Sequence, residues 1–390
     1  MTFAELRRVA PVSRQPAGGF EPGRGAEFWA VTRHAEVQLV SRQPEVYGSG
    51  QGVGLADLPI ELLELNGSFL AMDAPRHANL RRIVSGAFAP RRLAQLESEI
   101  TTQANAIVDE FVDRGGGDVV EDLAKKLPLW TICTMMGVPE EMRADLYRAA
   151  EAQMTSQDPE FSGGGVDAGD LAAGAAMTMH RMARDLVAAR RARPGDDIMS
   201  AMAESVVDGR PLSAREIGGL FVLFATAGNE TSRDTTSHGI RLFADNPEQW
   251  SRLVKNTALV HPAVEEIIRC ATPVIQFRRT AMAATRLANV AIQKGDWVVL
   301  FYESANRDER VFANPERFDI ARYPNPHVGF GGGGPHFCLG AGLARLQLRA
   351  LLARLAERAA TVERGEPHYL LSSFVHGIKR MPVTVTPLGR

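Results

Sequence analysis

The chain is poor in cysteine, in net charge and in long apolar runs. Only Cys133, Cys270 and Cys338 occur among 390 residues, an odd and sparse set that argues against a disulfide scaffold and for a reducing compartment. Lysine and arginine total 44 against 46 aspartates and glutamates, a formal net charge of −2, so nothing favours a nucleic acid or an acidic membrane as partner. The N-terminal stretch MTFAELRRVAPVSRQP has no apolar signal core, and no bilayer span is present. A cytoplasmic location is therefore expected. There is no internal repeat and no low-complexity domain.

Glycine, by contrast, is concentrated beside one of the cysteines. Residues 330–340 read FGGGGPHFCLG and run into the helical pattern AGLARLQLRALLARLAERAA. Cys338 thus sits on a glycine-rich loop at a helix start, where unpaired N–H groups and the positive end of the helix dipole stabilise a thiolate. The glycines allow a planar cofactor to approach the backbone closely. A single thiolate with open space opposite is the ligation used to cleave O–O bonds at haem iron. A buried apolar thiol is the alternative for an isolated cysteine.

This stretch resembles the haem-binding loop of the cytochrome P450 superfamily. Phe330 stands one glycine further from the cysteine than in the commonest form of that signature, where this chain has Gly331; some actinobacterial members carry the longer loop. The resemblance implies a mainly α fold with small β-sheets, and haem b (iron protoporphyrin IX) between a long central helix and the cysteine loop. Cys338 is then the metal ligand, with Phe330 and Gly340 as loop contacts. Length at ~150 residues per domain points to two or three domains, but elements that must converge on one haem imply a single domain over 1–390.

Three further segments carry the resemblance. Residues 213–246 show apolar positions at helical spacing through Ile217, Leu220, Phe221 and Phe224. Ser213 with Glu216 is a capping box and Pro247 closes the segment, so one long helix is expected. Midway stand Ala227, Gly228, Asn229, Glu230 and Thr231, which resemble the family's oxygen-activation motif, where small residues open a groove and an acid–threonine pair delivers protons. A solvated Glu-Thr pair is the alternative, weakened by the apolar run before it. Glu266 and Arg269, at i and i+3, precede Arg317; the resemblance places all three in a buried structural network. His77 and Arg81 share a helix face after Pro75. With Arg279 and His336 they are implied to clamp two haem propionates, whose charge of about −2 requires cationic partners. Arg278 is an alternative to Arg279.

Strands are expected at 28–32, 287–292 and 297–301, the last two as a hairpin about Gly295. Helices are expected at 100–113, 139–154, 171–192 and 341–359. The segment 156–170 has the most flexible composition and matches the family's lid loop over the substrate channel; a merely solvated connection is the alternative.

The implied activity is monooxygenation, one atom of O2 entering a C–H bond of a hydrophobic small molecule. No dinucleotide or flavin fingerprint is present. The resemblance implies a 2Fe-2S ferredoxin and an NAD(P)H-dependent reductase, docking near Arg82, Arg345 or Arg349, with the chain as a monomer. Substrate-wall candidates are Phe69, Phe221, Phe224, Val274, Phe277 and Phe374, each equally explicable as core. The chain is similar to actinobacterial hydroxylases of steroids and methyl-branched lipids, with terpenoids and polyketides as further candidates. A tailoring enzyme with an epoxidation or coupling outcome, a peroxygenase and a non-catalytic haem protein remain alternatives; peroxygenases generally lack the acid–threonine pair.

Overall fold

The computed structural model describes residues 2–16, 27–55, 68–162 and 167–389. It is mainly helical with small sheets. The largest sheet orders Val12–Pro16, Glu27–Val31, Trp297–Phe301, Gln276–Ala281 and Tyr47–Gly48. Trp297–Phe301 is central, parallel to Glu27–Val31 and antiparallel to Gln276–Ala281. Its apolar run suits burial on both faces, and Val298, Val299 and Leu300 have no exposed surface.

The hairpin expected from residues 287–301 does not form. Thr285–Leu287 pairs instead with Val290–Ile292, turning through Ala288 and Asn289 at φ 48 and 68, the left-handed geometry of a tight two-residue turn. Gly295 N–H donates to Ala281 O at 2.8 Å, so its turn closes onto the strand Gln276–Ala281. Long-range pairing outweighed the nearest-neighbour partner.

The helices expected near 100–113, 139–154, 171–192 and 341–359 are Pro90–Asp113, Glu140–Thr155, Ala168–Ala192 and Ala341–Arg358. The main core joins Ile100 and Phe111 of the first to Leu351 of the last, with Leu220, Phe243 and Ile267 between them.

The expected central helix is two, Ala214–Ala227 and Glu230–Asp245. Its start is as read: Ser213 and Glu216 form the capping box. The break falls at Gly228 and Asn229. Glycine costs a helix about 1 kcal/mol relative to alanine, and a Cβ on Gly228 would lie 3.2 Å from the Ile132 side chain. Close packing on the helix Lys126–Met136 therefore disfavours any side chain at that position. Thr231 Oγ1 donates to Ala227 O at 2.8 Å. Thr235, Thr236 and Ser237 repeat this back-bonding to Thr231, Ser232 and Arg233, a pattern that bends helices.

Candidate active site

Cys338 lies at the end of a closed loop. Its N–H donates to Phe330 O at 3.0 Å, and Gly340 is the N-cap of the helix Ala341–Arg358. The side chain keeps accessible surface although it lies deep in the protein, and depth dominates its chemistry. Burial pushes the thiol pKa up, opposed by the Gly340 N–H and by the Arg81 and Arg345 charges. Such a site holds a thiolate only with a further positive partner, as a metal ion supplies.

The loop glycines serve a different contact from the expected cofactor approach. A Cβ on Gly332 would meet Ser41 Oγ at 2.5 Å and Val37 O at 2.8 Å, and one on Gly334, at φ +74, would strike Ser41 O. The loop is seated directly on the helix His34–Arg42. Only Gly331 (φ +98) and Gly340 face more open space, the latter with its missing Cβ 4.0 Å from Cys338 Sγ.

Beside the loop the structure gathers His77, Arg81, Arg279 and His336. The imidazole rings of His77 and His336 are 4.2 Å apart. Arg81 reaches across to the loop, donating to Pro335 O at 2.8 Å and Phe337 O at 2.6 Å. Burial lowers the pKa of Arg81 and of Arg279. His336 is pushed down to about 3 by burial and by the Arg279, His77 and Arg81 charges; His77 is lowered by burial and then by Arg81. The acid acting on this cluster, Asp73, already accepts from the Ser49 and Gly50 N–H groups. His77 Nε2 is buried without a hydrogen-bond partner. Cations crowded at a desolvated site, with a spare imidazole nitrogen, fit a compact dianion, which is what two propionates present. Strand alternation decides between the two arginines: Arg278 points the other way, its guanidinium 4.0 Å over the Trp297 ring.

On the opposite side, the central helices show a narrow open stripe. Between residues 216 and 240 every residue is buried except Leu223, Ala227, Gly228 and Thr231. Positions 223, 227 and 231 share a face at i, i+4 spacing. Leu223 was not singled out from sequence, though that spacing would have found it. Glu230 turns away from the stripe and has no exposed surface. Its Oε2 lies 2.6 Å from Arg233 Nη1, and Asn229 Nδ2 donates to Oε1 at 3.0 Å. Arg233 also serves Asp234 at 3.2 Å and faces Glu151 at 3.8 Å. One guanidinium thus answers three carboxylates. Burial, offset by Arg233 and reinforced by Asp234 and Glu151, raises the Glu230 pKa to about 7; burial raises Asp234 to about 6.

The structural network differs from expectation in one member. Arg269 forks onto Glu266 at 2.7 and 2.8 Å, but Arg317 contributes only its carbonyl, which accepts from Arg269 and Arg322. Its side chain is exposed, because the turn closed by Arg317 N–H to Asn314 O directs it outward. Arg322 is the second arginine, its Nε 3.0 Å from both Glu266 oxygens. Arg345 is no free docking cation either: it pairs with both Glu265 oxygens at 2.8 Å and lies over Phe330 at 4.5 Å.

Of the wall candidates, Phe69 lies 6.0 Å from His77 and 6.4 Å from Phe224, and Phe88, missed from sequence, stacks on Phe224 at 5.8 Å. Phe277 and Phe374 meet edge to face at 5.3 Å, and Val274 bridges to Val375. Phe221 has no exposed surface and belongs to the main core; it is withdrawn from the wall. Within the expected lid loop, residues 163–166 lie outside the described residues. The part before them is not a free loop: Pro159–Ser162 is a helical turn and Asp158 is buried.

A cytochrome P450 family model matches residues 170–359. The methyl-branched lipid omega-hydroxylase of Mycobacterium tuberculosis is 40% identical over 391 residues, covering 98% of this chain and 90% of that protein. The steroid C26-monooxygenase of Mycolicibacterium smegmatis is 38% identical, covering 100% and 91%. Among solved structures, Mycobacterium marinum cytochrome P450 CYP268A2 in complex with pseudoionone matches with TM-score 0.94 and 46% identity, covering 98% and 93%.

Proposed function

The chain belongs to the cytochrome P450 family of haem-dependent monooxygenases, and from that premise we propose that it hydroxylates a hydrophobic, branched small molecule of steroid, terpenoid, lipid or polyketide type. Electrons would come from a 2Fe-2S ferredoxin and its NAD(P)H-dependent reductase. Support for the substrate class comes from the phenyl-lined wall and from relatives named for branched lipids and steroids. Among the described residues no helix is long and apolar enough to cross a membrane.

Cys338 would hold the haem iron, and His77, Arg81, Arg279 and His336 its propionates. When bound, haem b supplies the reductive activation of dioxygen. The chain's own residues do the rest. The small side chain of Ala227 leaves room along the stripe, the phenyl rings exclude water, and Thr231 Oγ1 offers a hydroxyl on the open face. Glu230, with a pKa near neutrality but turned away from the stripe, can hold a proton and release it through intervening water, as general acid–base work requires.

The observation that carries this reading is the stripe itself: four unburied positions in the otherwise buried stretch from residue 216 to residue 240, bordered by a buried acid. The test is Thr231→Ala in the reconstituted holoenzyme. Substrate-induced optical shifts and NAD(P)H consumption should stay near wild type while product yield falls and hydrogen peroxide rises. Product per NAD(P)H equal to wild type would sink the role given to Thr231. The reduced, carbon monoxide-bound protein should show the red-shifted Soret band of thiolate ligation and lose it in Cys338→Ser; retention there would overturn the ligand assignment.

A further inference from the structure

Just past the helix Glu140–Thr155, two side chains reach over to the C-terminal loop. Asp158, 2% exposed, accepts from the backbone N–H groups of Leu371 at 2.9 Å and Glu160 at 3.0 Å. Its other close partner is Lys379 Nζ at 3.1 Å. Gln157 Oε1 accepts from both the N–H and the hydroxyl of Ser373 at 3.1 Å. From the sheet side, the buried Gln276 amide donates to Ser373 O at 3.2 Å, and Ile275 N–H donates to Phe374 O at 2.9 Å. Ser372 Oγ accepts from the N–H groups of Phe374 and Val375. The turn 371–374 therefore hangs between the segment that follows the helix Glu140–Thr155 and the largest sheet, and the ring of Phe374 leaves it to meet Phe277.

A wall of phenyl edges discriminates by shape, and one methylene of misfit changes discrimination by only ~10–200-fold. Placement of the wall then decides which carbon of a flexible substrate is presented, and displacements near 1 Å are enough to matter. Two of the four backbone N–H groups of the turn depend on acceptors outside both loop and sheet, and both acceptors are side chains at 157 and 158. We propose that Gln157 and Asp158 are positioning residues for substrate selectivity, fixing the turn 371–374 and through it the Phe374 ring. Neither touches substrate; they set from outside which part of a branched hydrophobic molecule reaches the stripe. This rests on the monooxygenase reading above.

The test uses the full-length holoenzyme with Gln157→Ala, Asp158→Asn, Phe374→Ala and the two double variants, and pseudoionone, testosterone and a methyl-branched fatty acid as probes. Gln157→Ala and Asp158→Asn should keep the carbon monoxide spectrum, raise amide hydrogen exchange at residues 371–374, and change the ratio of hydroxylated products at least threefold. Both changes in product ratio should vanish in the Phe374→Ala background, which a merely stabilising contact would not produce. Unchanged exchange and product ratio in Gln157→Ala, whose side chain is exposed and whose folding is not at stake, would overturn the proposal. So would a shift that persists in the Phe374→Ala background. If wild type gives no oxygenated product from these probes, the substrate class proposed above fails, and the positioning role is judged by exchange at 371–374 and by the same cycle on probe dissociation constants.

Discussion

Two buried glutamate–arginine pairs, each at i and i+3 on a helix, stand at opposite ends of what such a pair can be. Glu266 is surrounded: its oxygens accept from Arg269, Arg322, the Asp319 N–H and Asn325 Nδ2, all at 2.7–3.1 Å. Glu230 shares one arginine with Asp234 and Glu151, and Asn229 Oδ1 and Asp234 Oδ2 beside it have no hydrogen-bond partner. Identical spacing yields a fully hydrogen-bonded carboxylate in one place and an acid of raised pKa in the other. The difference is the number of donors per carboxylate, and it separates a structural pair from one poised to exchange a proton.

Removing a donor from the saturated pair should have the largest effect. Arg269→Ala leaves Glu266 buried with only one of its two arginines and should cost ~3–5 kcal/mol, read as a lower denaturation midpoint and poor haem retention. Arg269→Lys should not restore it, because an ammonium cannot make both forked contacts. Arg322→Ala, which removes a charged contact while Arg269 remains, should cost ~1.5–3 kcal/mol in the same assay. Stability near wild type in both variants would erase the contrast between the two pairs.

At the other pair the predicted effect is on turnover and on pH dependence. Glu230→Gln should slow product formation on the order of 10²-fold while leaving the carbon monoxide spectrum intact. The Glu230 carboxyl is raised from 4.5 to about 7 in the folded protein, so the native state binds that proton more tightly than the unfolded chain. The Glu230 contribution to stability should therefore fall as pH rises from about 4.5 to about 7, and Asp234, raised from 3.8 to about 6, adds a decline of the same sign, whereas His336, pushed down to about 3, contributes in the opposite sense. In Glu230→Gln that decline should flatten; an unchanged slope would show that other groups produce it. The smallest effect should come from Arg317→Ala, within ~0.5 kcal/mol of wild type, since only its carbonyl joins the network.

How far the sequence reaches follows the range of the interaction. The helix periods and the gathering of His77, Arg81, Arg279 and His336 beside the Cys338 loop were legible because each is local or carried by a spaced motif. The break at Gly228 and Asn229 was not, because it depends on Ile132 approaching from another helix. Arg322 displaced Arg317 because a loop decides which arginine folds back over Glu266. The hairpin at 285–292 was hidden because Ala288 and Asn289 adopt left-handed backbone without a glycine to announce it. The tie between Asp158 and Leu371 spans 213 positions, beyond any local pattern.

The seating of Gly332 and Gly334 against Val37 and Ser41 makes the cysteine loop a poor candidate for transplantation. A chimera that imports residues 330–340 into a scaffold with the shorter loop brings a shape cut to the backbone of the helix His34–Arg42. Without that helix at the same distance, the extra glycine becomes slack and Cys338 loses its fixed height. Recombination breakpoints placed between residues 42 and 330 should therefore yield far fewer haem-retaining hybrids than breakpoints that inherit both segments from one parent.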